Sequence, residues 1–338
     1  MSVNPILAEQ TRGPLVENRH RGAFVVADAA GRIVAALGDI DRPVYPRSAV
    51  KSIQAMGLVA SGAIERFGLT DEDLALASAS HHGEPQHVAG VTAFLGRIGL
   101  NADALECGAH WPSNAKAREA LRDAGGVALP IHNNCSGKHA GLLATARALG
   151  VDHRGYVDRT HKVQQLVHDL MAEVTGAHLH EGACGTDGCS IPTWASPLKS
   201  LATGFARMAT GEGLEPALAQ SARRLFTAAT RHPLLVGGTG HFDSLVMEAF
   251  KGQLMQKGGA EGVQCGAIRA LGLGYALKVD DGNMAASVAM VATLLSRFAA
   301  PDAEADAVLA RFRTQPIKSI RGVEVGELRA SALWDQVS

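Results

Sequence analysis

The stretch Pro46-Arg47-Ser48-Ala49-Val50-Lys51 sets a serine and a lysine three positions apart, just behind a proline. Proline suits the first turn of a helix, and residues at i and i+3 share a helical face. The expected helix therefore brings the Lys51 amine towards the Ser48 hydroxyl. A desolvated lysine of depressed pKa can take a serine's proton, so Ser-x-x-Lys is one way to build a nucleophile without histidine. The same residues also describe an ordinary helix start, with a capping serine and a solvated lysine.

Four other stretches hold residues of chemical interest. Leu74–Glu84 ends a small-residue run in Ser78, Ser80, His81, His82, Gly83 and Glu84. Read as extended, the run puts Ser78 and Ser80 on one face, either as an active-site floor or as a buried turn with hydroxyls on the backbone. Cys135 precedes a helix in Asn133-Asn134-Cys135-Ser136-Gly137-Lys138-His139, where a thiol is biased towards thiolate. Cys184 and Cys189 share the glycine-rich loop Gly182–Cys189, so the two loops could supply two or three ligands to zinc. Buried structural thiols fit the same spacing. Lys257-Gly258-Gly259 resembles the Lys-Thr-Gly element lining β-lactamase sites, and it also reads as a glycine turn beside a surface lysine. Gly237-Gly238-Thr239-Gly240 lacks the Lys and Ser of a phosphate-binding loop.

The elements that must position these residues follow from pattern. Ala23–Asp28 and Ile33–Leu37 read as a hairpin turning at 28–32. Ala49, Ile53, Met56 and Ala60 mark one core-facing stripe of a helix ending near Gly62. Helices are expected over 85–98, 115–124, 136–149, 160–174, 197–208, 216–229 and 243–250. Glycine-broken strands span 257–278, helices 285–298 and 302–312, and a final strand 317–325. A hairpin first, helices between and strands last predict an α+β fold, an antiparallel sheet with its terminal strands paired and a helical region inserted. No linker or repeat marks a boundary, so residues 1–338 are expected to form a single domain.

Composition narrows the function classes. Thirty-two Lys and Arg against 33 Asp and Glu give a net charge of −1, which offers no electrostatic case for nucleic acid or an anionic membrane. No apolar stretch reaches spanning length, and residues 1–21 hold no signal-like apolar core, so a soluble cytoplasmic protein is expected. Five cysteines, an odd number, suit a reducing compartment where thiols serve as ligands or core residues. With 4% aromatic residues, packing must rely on small side chains in close contact.

Taken in order, Arg47-Ser48-x-x-Lys51, Ala79-Ser80-His81-x-Gly83-Glu84, Cys135-Ser136-Gly137-Lys138-His139, Asp187-Gly188-Cys189 and Lys257-Gly258-Gly259-Ala260-Glu261-Gly262 form a set. The set resembles the rhizobial-type L-asparaginases, the class 3 or asparaginase II family, from about Gly22 to Arg329. That resemblance implies a fold similar to the serine β-lactamases, hydrolysis of L-asparagine to L-aspartate and ammonia, and a homodimer. It also implies two Ser–Lys pairs, Ser48 with Lys51 and Ser80 with Lys257, without settling which serine is the nucleophile. A zinc per subunit on Cys135, Lys138 and Cys189 is implied as well, orienting the substrate, with Arg47, His139 and Asp187 reading its α-carboxylate and α-amino groups. Cys107, Cys184 and Cys265 are left as structural. Another serine amidohydrolase or D-aminopeptidase of the same scaffold is one alternative, although no Ser-Asp-Asn-like element is visible. A non-catalytic binding protein is the other.

Overall fold

The computed structural model describes residues 3–337. Backbone contacts divide the chain into two compact units. One runs up to Ala49 and takes in Ser196–Gly213 and the chain from Leu245 onward; the other comprises Val50–Ala195 and Leu214–Ser244. The chain passes from the first to the second inside the Ser48-x-x-Lys51 stretch.

The first unit is built on an eight-stranded sheet. Its strands run in the order Thr314–Lys318, Glu324–Ala330, Ile6–Arg12, Leu15–Asp28, Leu273–Val279, Val263–Ile268 and Leu254–Gly259, with Ile33–Leu37 also paired to Leu15–Asp28. Neighbours are antiparallel, and the terminal strands meet as expected, Ala8 facing Ala330. Ala23–Ala27 is buried throughout, which suits a continuous apolar strand covered on both faces. The helix Leu198–Thr210 packs on the central strands, and Met284–Phe298 on the strands and on Ala303–Arg313. Trp334 stacks on Phe24 at 4.5 Å and donates its indole N–H to the Leu7 carbonyl, pinning the C-terminal segment to the sheet.

One strand was not expected from the sequence, and one strand expectation needed correction. Ile6–Arg12 carries no clean alternation because a bulge between Ile6 and Ala8 shifts its register, so its strand pattern is hidden in sequence. The single final strand expected over 317–325 is instead two strands with a turn between them. Pro316 sits in the outermost one, where a missing N–H does no harm.

The second unit is helical. Ser136–Leu149 is its central helix, buried from Ser136 to Ala146 and packed against Met56–Ala60, Asp71–Ala77, Pro85–Arg97 and Lys162–Thr175. Small residues allow this crowding. A Cβ on Gly137 would lie 2.3 Å from the Leu76 carbonyl oxygen, so only glycine lets these two helices approach so closely. Thr70 and Asp73 close a capping box that starts Asp71–Ala77.

Around the motifs the local structure departs from expectation. Instead of one helix starting at Pro46, the chain makes a 3-10 turn over Arg47–Val50, then short helices over Lys51–Gln54 and Met56–Ala60. Arg47 holds a left-handed φ of 52°, a conformation its side chain disfavours. The run ending at Ala77 is helical rather than extended. Ser78 closes it by donating to the Leu74 carbonyl at 3.1 Å, so Ser78 belongs to the helix end and Ser80 stands apart. The architecture is α+β, and no helix among the described residues is long and apolar enough to cross a membrane.

Candidate active site

Each unit holds part of the predicted residue set. In the first, Arg47 and Ser48 are half-buried on the 3-10 turn. The Lys257 strand lies directly against that turn. A Cβ on Gly259 would stand 2.6 Å from the Pro46 carbonyl oxygen and 3.0 Å from the Ala49 nitrogen, which explains the glycine. Lys257 is 3% exposed and its ammonium donates to the Gly258 carbonyl at 2.8 Å. Cys265 faces Lys257 across the ladder, its thiol pushed up by burial against the pull of the lysine's charge.

In the second unit Lys51, 1% exposed, is the hub. Its Nζ donates to the Ala79 carbonyl at 2.7 Å, to Ser80 Oγ at 2.9 Å and to Cys135 Sγ at 3.1 Å. The structure therefore joins Lys51 to Ser80, the serine of the other predicted pair, and to a thiol of the predicted zinc set. Ser80 is fixed through its backbone: its N–H meets the Val236 carbonyl, and the His81 N–H meets that of Asn134.

The thiols and Lys138 converge. Lys138 Nζ lies 2.9 Å from Cys189 Sγ, and Cys135 is hydrogen-bonded to Cys189. That bond, with the charges of Lys51 and Lys138, overcomes burial and holds the Cys135 pKa well below that of an ordinary thiol. Cys189 is pushed up, first by the same bond to Cys135 and then by burial, and acts as the donor. Burial works against the Lys138 ammonium, but Cys189 and Cys135 outweigh it and raise its pKa.

Two sulfurs and an amine nitrogen make a donor set suited to a borderline-soft cation such as zinc, which would displace the shared protons. Among the described residues no group of three or more His, Cys, Asp and Glu can hold a metal. A metal here needs the lysine as third donor.

Asp187 starts the tight turn carrying Cys189: its N–H meets the Ile191 carbonyl, and its side chain accepts from the Gly188 N–H. Ser190 takes φ 75° in that turn. His139 is fully buried on the central helix, its pKa driven well down by burial and by the charges of Lys138 and Lys51. Cys107 lies outside the cluster, with its thiol pushed up to about 12 by burial and bonded to the Pro130 carbonyl. Cys184 is half-buried on the strand Cys184–Thr186.

Three residues in the singled-out stretches take positioning roles that the sequence did not assign. Asn133 accepts from the Cys135 N–H and donates to the carbonyls of Cys107 and Gly108, which fixes the thiol loop. An Asn bonding two residues ahead is a legible turn signal. His81 accepts from the Gly83 N–H through Nδ1, so its Nε2–H donates to Ser136 Oγ at 2.9 Å, and Ser136 donates on to Ile131. This buried chain ties the Ser80 segment to the helix bearing Lys138. Glu84 accepts from both the N–H and the hydroxyl of Thr239, holding the glycine-rich loop over 237–240.

The family model for L-asparaginase II matches residues 8–330. No curated protein matches the chain. Similar solved structures include Mglu in its native form, 17% identical, covering 88% of this chain and 68% of that one with a TM-score of 0.45. A β-lactamase from Mycobacterium bovis is 15% identical over 86% of this chain and 94% of its own, with a TM-score of 0.39. A mutant of simvastatin synthase from Aspergillus terreus is 14% identical over 76% of this chain and 86% of its own, with a TM-score of 0.37.

Proposed function

Because the chain belongs to the L-asparaginase II family, we propose that it hydrolyses L-asparagine to L-aspartate and ammonia through a serine nucleophile. The observation that carries this reading is the buried Lys51 amine, hydrogen-bonded at once to Ser80, Ala79 and Cys135. A lysine held this way, away from water, is the form of group that relays a serine's proton.

In the proposed course Ser48 Oγ attacks the side-chain amide carbon, and Lys51, as the free amine, takes the hydroxyl proton. The C–N bond breaks as that proton passes to the leaving nitrogen, so ammonia departs and an ester to Ser48 remains. Water then attacks the ester carbonyl, and Ser80 and Lys257 relay one of its protons to the departing Ser48 oxygen, so aspartate leaves with Ser48 as the hydroxyl and Lys51 still the amine. Arg47, His139 and Asp187 are assigned to the α-carboxylate and α-amino groups of the substrate. Cys135, Lys138 and Cys189 would hold one zinc, whose charge would help orient an anionic substrate. The same proposal includes one functional domain over the whole chain and a cytoplasmic homodimer, the latter checked by light scattering.

Ammonia release is the test, measured on asparagine, glutamine and simple amides, with nitrocefin alongside. Ammonia from asparagine supports the proposal. Hydrolysis of nitrocefin without ammonia release favours another serine hydrolase, and silence on every substrate favours a binding role.

A further inference from the structure

The His139 ring poses a proton-counting question with one answer. Its Nδ1 lies 2.7 Å from the Tyr156 hydroxyl, which also accepts the Glu106 backbone N–H at 2.9 Å. The phenol has one hydrogen to give, and with its oxygen already accepting from Glu106, that hydrogen is directed to Nδ1. The opposite arrangement, Nδ1–H donating to the phenol, would leave the phenolic hydrogen buried without an acceptor. A buried donor left without an acceptor loses its solvation with nothing in return, which disfavours that arrangement.

Tyr156 has little freedom to do otherwise. It is fully buried, and Gln164 Nε2 bonds to its carbonyl. The Glu106 carboxylate accepts from the Gly155 N–H, so Glu106 clamps this segment at two points. The remaining ring nitrogen, Nε2, is buried and meets no hydrogen-bonding partner among the described residues. A polar atom buried without a partner is uncommon, and it points to a group that arrives later.

We propose that Tyr156 is a positioning residue that locks His139 as the Nε2–H tautomer, making it a donor reserved for an anionic oxygen of the bound ligand. On the functional reading above, which this inference deepens, that oxygen belongs to the substrate's α-carboxylate. An N–H cannot serve the α-ammonium, so that group falls to Asp187.

The tautomer is read without substrate, from long-range proton–nitrogen correlation spectra of protein labelled with 15N-histidine, His139 being assigned by its loss in H139Q. Wild-type protein is expected to show Nε2 protonated and Nδ1 bare. Nδ1 protonated in the wild type overturns the inference, and this arm needs no variant of Tyr156 to fold. In Y156F the signal is expected to move to a mixture of tautomers; an unchanged pattern in the folded variant also overturns it.

In turnover, Y156F is expected to raise KM for asparagine about tenfold with kcat nearly kept, because binding is lost equally in ground and transition states. An asparagine analogue with its α-carboxylate amidated should show no such rise. An equal rise for both substrates overturns the carboxylate assignment. Failure of wild-type protein to release ammonia from any amide refutes the functional reading alone, since the spectrum stands independently of it.

Discussion

Lys51 Nζ lies 2.9 Å from Ser80 Oγ, so the lysine of the first Ser–Lys stretch meets the serine of the second. The same amine touches Cys135 at 3.1 Å. Three separate motifs thus meet at one buried amine.

Removing that amine should stop turnover. Lys51→Met is expected to lower kcat about 10²–10⁴-fold, the range of a lost general base. Lys51→Arg should not rescue it, because guanidinium does not give up a proton at neutral pH. Circular dichroism establishes that each variant is folded. A Lys51→Met protein retaining a tenth of wild-type kcat contradicts the proton-relay role.

Much of this arrangement was legible locally. Thr70 and Asp73 announce their helix through a four-residue pattern, and the hairpin at 28–32 through Asp28 and Gly31. The terminal strands were expected to pair, and they do. What escaped the sequence depends on distant partners or on backbone shape. No pattern reports that Arg47 sits at positive φ, which replaces the expected α-helical start by a 3-10 turn. Tyr156 has no motif around it; its role exists only because Glu106 and His139 arrive from other segments. The bulge in Ile6–Arg12 erased the alternation by which the strand would have been read.

Close packing beneath the thiol loop gives a stability prediction. A Cβ on Gly137 meets the Leu76 carbonyl oxygen at 2.3 Å and its carbonyl carbon at 2.9 Å, and backbone cannot move aside as a flexible side chain would. Gly137→Ala should therefore cost about 1–3 kcal/mol, as overpacking does. A lowered urea midpoint is the readout, and an unchanged one refutes the packing argument. Gly182→Ala, with open space around the added methyl, is the control.

Acid should weaken the fold through the histidines beside Ser80. His82 is held down to about 4 by burial first and then by His241, with Glu84 and Asp243 pulling the other way. Its ring meets that of His241 edge-on at 4.7 Å. Between pH 4 and the ordinary value of 6.5 the unfolded chain binds more protons here than the folded one. Stability contributed by this residue is thus present above pH 6.5 and lost as pH falls towards 4. His82 is only half-buried, so solvent screening leaves about 1 kcal/mol of effect. His82→Asn should flatten the dependence of the urea midpoint on pH in that window; an identical slope rules His82 out as a source.

The thiol pair makes the last prediction. Cys135 and Cys189 are hydrogen-bonded to each other, and Lys138 donates to Cys189 at 2.9 Å, so the three donors already stand together. Dialysis against zinc is expected to load about one ion per chain, with protons released as it binds. Cys135→Ala should abolish that loading while the helix Ser136–Leu149 keeps the fold, since its burial does not depend on the thiol. Because Lys51 keeps Ser80 and Ala79 as partners in the variant, the proton relay survives. KM for asparagine should then rise by more than kcat falls. Two results refute this division of labour: undiminished zinc uptake by Cys135→Ala, or a folded variant with no turnover at saturating asparagine. The first removes Cys135 from the donor set. The second makes the thiol, or the cation it holds, part of bond cleavage itself.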